Sequence, residues 1–156
     1  MKKLFLIAFL ISLTSVFAQD VDSYIELLKT DVKADKKAII TEVMNFDETQ
    51  SAVFWPIYRE YEYEQDKLSD KRISNIKDFA ANFDSLTNEK ANQLIENAFD
   101  FQDDRLDLNK KFYKKFAEVL TPTVAAKYMK LEYEIQTIIE LSVISNLPLA
   151  KKPGGE

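Results

Sequence analysis

Glycine is almost absent from this chain. It occurs twice in 156 residues, as Gly154 and Gly155 near the end. Glycine supplies the positive φ angles of tight hairpins and the close backbone approach of phosphate-binding loops. Nucleotide sites built on glycine-rich loops, and sheets built on short hairpins, are therefore effectively excluded. Since proline occurs only four times, the chain must mark its turns with other residues.

The chain also contains no cysteine and no histidine. This composition removes thiol nucleophiles, disulfides, zinc fingers, Ser-His-Asp triads and nearly all transition-metal sites. An enzyme would have to use carboxylates, lysine, tyrosine or a hard metal ion, and no spacing of these residues indicates an active site. We therefore expect that the protein is not an enzyme and has no cofactor.

Residues 1–18 have the build of a secretory signal peptide. A basic start, Met1–Lys3, precedes the apolar run Leu4–Leu13, and small residues lead to a cleavage site near Ala18. The run is shorter than the roughly 20 apolar residues of a spanning helix, so we expect no stable membrane insertion. We predict a mature chain that begins near Gln19 and is periplasmic or secreted.

The net charge of −5 becomes −7 when a signal peptide with two lysines and no acid is removed. An acidic chain argues against nucleic-acid binding, which needs clustered basic side chains. A hydrophobic content of 46% is enough for a packed core. We predict one helical domain over residues 19–149 and a disordered tail over residues 150–156.

Three sites carry the residues that typically begin a helix. Asp47, Thr87 and Thr121 each follow an apolar residue, and a short oxygen-bearing side chain can accept a hydrogen bond from a free N–H of the first turn. Gln50 lies three residues after Asp47 and can complete a capping box. Pro122 occupies a first helical position, where its missing N–H costs nothing. Three long helices are therefore predicted.

Apolar residues recur at helical spacing in each long segment. In the first segment the stripe contains Phe54, Tyr58, Tyr61, Gln65, Leu68, Arg72, Ile76, Phe79 and Phe83. In the second it contains Leu94, Ala98, Phe101, Arg105, Leu108, Phe112, Phe116 and Val119. In the third it contains Val124, Tyr128, Leu131, Ile135, Ile138 and Ser142, widened by Ile139.

These patterns predict an all-α fold: an elongated antiparallel helical bundle of three long helices, with one or two short N-terminal helices. One short helix would follow Asp22–Ser23. The other would run from Ala34 to Met44, with an inward face of Ile39, Ile40 and Val43. Pro56 lies inside the first long helix, where it removes a backbone hydrogen bond, so we expect a bend there.

Several residues have two interpretations from the sequence alone. Arg72 and Arg105 interrupt apolar stripes, either to contact an anion or client in a cleft or to pair with a neighbouring carboxylate. The aromatic segment 54–63 supplies core residues on one face and, on another, a surface for a partner. The densest acidic cluster is either a Ca²⁺ or Mg²⁺ site or a solvated face; its members are Asp100, Asp103, Asp104 and Asp107.

The helix starts resemble the LTxxQ-motif group of exported helical proteins, of Spy/CpxP type. Leu86-Thr87 and Leu120-Thr121 match the first half of that motif, and Gln50 matches its end after Phe46-Asp47. The resemblance covers roughly residues 46–149. In that group, helical hairpins form a curved dimer whose concave face contacts unfolded proteins.

The resemblance implies an ATP-independent chaperone of unfolded envelope proteins that acts as a homodimer. The alternative is a regulatory adaptor that binds one specific partner of an envelope-stress or sigma-factor system. Either function would use protein partners and no metal. The residues expected to contact a client or partner are Trp55, Tyr58, Tyr61, Arg72, Phe101, Arg105 and Phe112.

Overall fold

The computed structural model describes residues 35–146, and this part of the chain is all-α, as predicted. The described part of the first helix, α1, covers residues 35–44. Three long helices follow: α2 over Glu48–Asn82, α3 over Asn88–Val119 and α4 over Pro122–Asn146, with a 3-10 turn at Phe83–Ser85. The predictions for the signal peptide, the first short helix and the C-terminal tail concern residues outside the described part.

The three long helices begin where the sequence indicates. The Asp47 carboxylate accepts a hydrogen bond from the Gln50 N–H at 2.8 Å, and the Gln50 side chain accepts one from the Asp47 N–H at 3.3 Å. This reciprocal pair completes the predicted capping box. The Thr87 and Thr121 hydroxyls accept from the N–H groups three residues later, at 3.2 and 3.3 Å. Side-chain caps therefore replace glycine at these turns.

Two backbone features stand near the start of α2. Pro56 lies inside the helix and the helix continues through it, so no fresh helix begins at this residue. Asn45, just after α1, has φ 44° and is therefore in the left-handed region. Asparagine tolerates this region better than most residues and commonly ends a helix there. Asn45 therefore occupies a backbone conformation that would otherwise favour glycine.

Helices α2 and α3 run antiparallel. Near the start of α2, Glu60 pairs with Lys115 at 2.6 Å. Farther along α2, Lys71 pairs with Asp104 at 3.3 Å. The partner numbers fall on α3 as they rise on α2, which fixes the opposite directions of the two helices.

Helix α4 returns in the direction of α2. Its Tyr128 ring lies 4.7 Å from the Phe116 ring of α3 and 4.9 Å from the Phe54 ring of α2. Farther along, Glu140 contacts Arg105 of α3 and Arg72 of α2. The three long helices therefore form the predicted up-down-up bundle, and α2 and α4 meet through long side chains.

The core follows the predicted stripes over most of their length. The buried apolar residues of the long helices are Phe54, Tyr58, Tyr61, Leu68, Leu94, Phe101, Leu108, Phe112, Phe116, Ala125, Tyr128 and Ile135. In α1, Ile40 is fully buried as predicted, whereas Ile39 and Val43 are exposed and their inward placement was wrong.

The predicted stripes are not buried at their ends. Phe79, Phe83 and Val119 are exposed, although the periodicity placed them inward. They lie in the last turns of α2 and α3 or just beyond, where fewer neighbouring residues are available to cover a side chain. Ile138 is 65% exposed because the inward face of α4 is centred between Tyr128 and Glu132, and Ile138 is rotated about 80° from Tyr128 on a helical projection.

Candidate functional site

The aromatic residues predicted as contacts lie largely in the core. Tyr58, Tyr61 and Phe112 are at most 2% exposed. The Tyr61 and Phe112 rings contact each other edge-on at 5.3 Å between centroids. Trp55 is half-buried and packs edge-on against Tyr58 at 5.4 Å. Most of this predicted surface therefore stabilises the fold.

A carboxylate lies buried among these rings. Glu132 is 1% exposed. Its oxygens accept hydrogen bonds from the Tyr128 hydroxyl at 3.3 Å and from the Gln136 amide at 3.0 Å. The Tyr61 hydroxyl donates to the Asn109 side-chain oxygen of α3 at 3.2 Å. A buried carboxylate is tolerated when it accepts hydrogen bonds, as Glu132 does from Tyr128 and Gln136.

The phenols of this cluster are held in their neutral form. Burial raises the pKa of Tyr58, Tyr61 and Tyr128 well above the usual range, and the negative charge of Glu132 raises each further. For Tyr58, the nearer Glu62 carboxylate contributes more than Glu132. Neutral phenols donate hydrogen bonds and are poor nucleophiles or bases. The cluster is therefore suited to hold a buried carboxylate rather than to perform proton transfer.

Arg72 and Arg105 lie farther along the bundle and share one carboxylate. The Nη1 atom of Arg72 lies 2.8 Å from the Oε1 atom of Glu140, and the Nη1 atom of Arg105 donates to the same oxygen. Both guanidinium groups stand over the Phe101 ring, at 5.3 and 5.4 Å from its centroid. Of the two interpretations left open by the sequence, the structure shows the pairing with a neighbouring carboxylate.

Replacing Glu140 by glutamine tests this arrangement. The substitution leaves two half-buried guanidinium groups without their shared anion, so we expect the free energy of unfolding to fall by about 1–2 kcal/mol. Urea unfolding followed by Trp55 fluorescence measures it. The matched control is Glu134→Gln, which removes an exposed pair with Lys130 and should change stability by less than about 0.5 kcal/mol. Equal effects would contradict the structural role of Glu140.

Two of the four carboxylates in the acidic cluster of α3 pair with lysines. Asp104 pairs with Lys71 of α2, and Asp107 pairs with Lys110 at 3.2 Å. Within the described residues, no group of three or more carboxylates is arranged to hold an ion. A depression on α1 is lined by Lys37, Ala38, Thr41 and Glu42. These residues come from one helix, so the depression does not gather side chains from separate elements as an active site does.

The accessible apolar surface lies on the outside of the bundle. Helix α3 carries an exposed row that we call the α3 stripe: Ile95, Phe99, Leu106 and Tyr113, with exposures of 53%, 64%, 52% and 37%. Steps of four, seven and seven residues place them within about 40° of one another on an α-helix. Helices α2 and α4 add Tyr63 at 63%, Tyr133 at 70% and Leu141 at 61%.

The α3 stripe was not predicted from the sequence. The core stripe of α3 was recognised because its apolar members recur every three or four residues. Three members of the α3 stripe are seven residues apart, and the positions between them on the same face, 102, 103, 109 and 110, are polar, so the stripe does not form a wide apolar face. The available signal was an apolar residue at positions 99, 106 and 113, all outside the core set.

No helix in the described part of the chain has the length and apolar character needed to cross a membrane. A search with protein-family models, with curated proteins and with solved structures returned no match to this chain.

Proposed function

We propose that this chain is an exported, non-enzymatic helical binding protein of Spy/CpxP type that holds unfolded envelope proteins without ATP. The resemblance of its helix starts to the LTxxQ motif motivates the proposal. The exposed apolar residues of the long helices carry it. An isolated exposed apolar side chain is ordinary in any protein, whereas a row such as the α3 stripe is typical of an interaction surface.

The chemistry of this surface suits weak binding of many partners. Aromatic and aliphatic side chains bury large areas without requiring a fixed partner sequence. The charged residues between them keep the apolar patches small, which favours solubility and reversible contact. No hydrogen-bond pattern that would select one ligand is built into the α3 stripe itself. A surface of this kind favours client holding over an adaptor with one specific partner.

Light scattering by an aggregating, chemically denatured client tests the function. The protein should be expressed with its own N terminus and purified from the periplasm of the host, with its mature terminus read by mass spectrometry. We expect suppression of aggregation near one dimer per client, without ATP, for two unrelated clients. Sedimentation velocity measures the proposed homodimer.

No suppression at large excess would overturn the chaperone proposal. Suppression for one client alone would favour the adaptor, and crosslinking in the envelope would then be expected to recover one partner at near-unit stoichiometry. A protein that retains residues 1–18 in the cytoplasm would contradict the proposed location.

A further inference from the structure

The α3 stripe is accompanied by carboxylates along one side. Glu96 lies three residues before Phe99, and Asp103 lies four residues after it, so both stand beside that ring on the helix surface. Asp100 lies one step farther around the same side. All three side chains are exposed, and no cation pairs with them among the residues that the structure describes.

Unlike these carboxylates, three lysines farther along α3 form ion pairs. Lys111 pairs with Glu64 of α2 at 2.7 Å, and Lys115 pairs with Glu60 of α2 at 2.6 Å. Lys110 pairs with Asp107 on its own helix. Three of the four lysines at this end of α3 are therefore paired, Lys114 being the exception, whereas Glu96, Asp100 and Asp103 have no paired cation among the described residues.

The apolar row and its unpaired acidic side together define the chemistry of a partner that would fit them. Between Ile95 and Leu106 the row extends about 17 Å, the length of three turns of a helix. A polypeptide segment that places apolar residues on this row and lysine or arginine beside it would bury the rings of the stripe. Its cations would then face the Glu96 and Asp103 carboxylates.

We propose that the α3 stripe is a docking surface for cationic amphipathic polypeptide segments. This inference rests on the proposed function and names the client class that this surface selects. A second copy of the chain is the competing occupant, and the Phe99→Ser variant described below distinguishes it.

The test uses three fluorescent peptides of the same length and apolar residues. Their polar positions carry lysine, glutamine or glutamate, and fluorescence anisotropy at low salt measures the dissociation constants. We expect the lysine peptide to bind tightest and the glutamate peptide weakest. Because the flanking carboxylates are exposed, the preference for lysine should shrink as salt is raised towards 0.5 M.

Matched variants assign the preference to this surface. Glu96→Gln combined with Asp103→Asn should weaken binding of the lysine peptide about five- to tenfold and leave the glutamine peptide nearly unchanged. The control, Asp84→Asn combined with Glu118→Gln, removes the same charge from exposed positions elsewhere and should change binding less than about twofold. Phe99→Ser should weaken all three peptides about tenfold. Circular dichroism verifies that each variant is folded.

Three results would overturn the inference. One is a set of equal affinities for the three peptides, and another is an equal effect of the control pair. The third is a wild-type dimer that Phe99→Ser converts to a monomer, which would show that a second copy covers the stripe. Aggregation suppression together with equal peptide affinities would sink this inference and leave the proposed function standing. Tightest binding of the lysine peptide without suppression of aggregation would support this inference and overturn the proposed function.

Discussion

Replacing Phe54 by alanine is expected to lower the free energy of unfolding by about 3–5 kcal/mol, the range for a large aromatic side chain removed from a packed core. Phe54 is fully buried. Its ring lies 4.6 Å from Phe46, 5.2 Å from Phe116 and 4.9 Å from Tyr128. The substitution therefore leaves a cavity where all three long helices meet.

Urea unfolding measures the loss, and the single tryptophan, Trp55, reports it because its ring contacts Phe54 at 5.0 Å. Circular dichroism provides a second probe that does not depend on this ring contact. The matched control is Phe99→Ala on the exposed α3 stripe, which should change stability by less than about 0.5 kcal/mol. Similar losses for the two phenylalanines would contradict the described core.

Stability is expected to fall steeply above pH 10. Burial and the Glu132 charge raise the pKa of Tyr58, Tyr61 and Tyr128 in the folded state, so folding favours their protonated form. This contribution is fully present below the unfolded phenol pKa of about 10 and is lost as the pH rises above it. Above that pH, each buried phenol lowers the free energy of unfolding by about 1.4 kcal/mol per pH unit. The three phenols together lower it by about 4 kcal/mol per pH unit. A domain of this size then unfolds within one to four pH units.

Urea unfolding at successive pH values measures this slope, and absorbance near 295 nm counts the tyrosinates. Fewer tyrosinates should form at pH 11 in the folded protein than in guanidinium, and the remainder should appear together with the loss of helical circular dichroism. Tyr58→Phe removes one of the three phenols and should reduce the slope to about 3 kcal/mol per pH unit. Ionisation of every phenol while the helices persist would show that the cluster is open to water.

The starts of the long helices could be predicted because the information is local. A capping side chain acts on N–H groups two or three residues away, so Asp47, Thr87 and Thr121 carry their signal within one turn. The absence of interior glycine strengthened these signals by leaving few other ways to turn. The buried face of each helix was also predictable where its neighbours run the full length beside it.

Features that depend on neighbouring helices were harder to predict. Glu132 is buried at a position that hydropathy assigns to the surface, because donors from Tyr128 and Gln136 replace its water. The shared pairing of Arg72 and Arg105 required the register that brings Glu140 beside both. The α3 stripe could not be distinguished from scattered apolar residues until the buried face of α3 was known.

Helix α4 places a polar residue or a tyrosine at every fourth position: Tyr128, Glu132, Gln136 and Glu140. Four residues turn an α-helix by about 40° beyond a full turn, so this series winds gradually out of the core. Tyr128 and Glu132 are almost fully enclosed, Gln136 is intermediate, and the Glu140 side chain is 27% exposed. Helix α4 is consequently shielded from water near Tyr128 and accessible to water near Glu140. Transient opening should begin near Glu140, so protection of the α4 amides from hydrogen exchange should rise from Glu140 towards Tyr128.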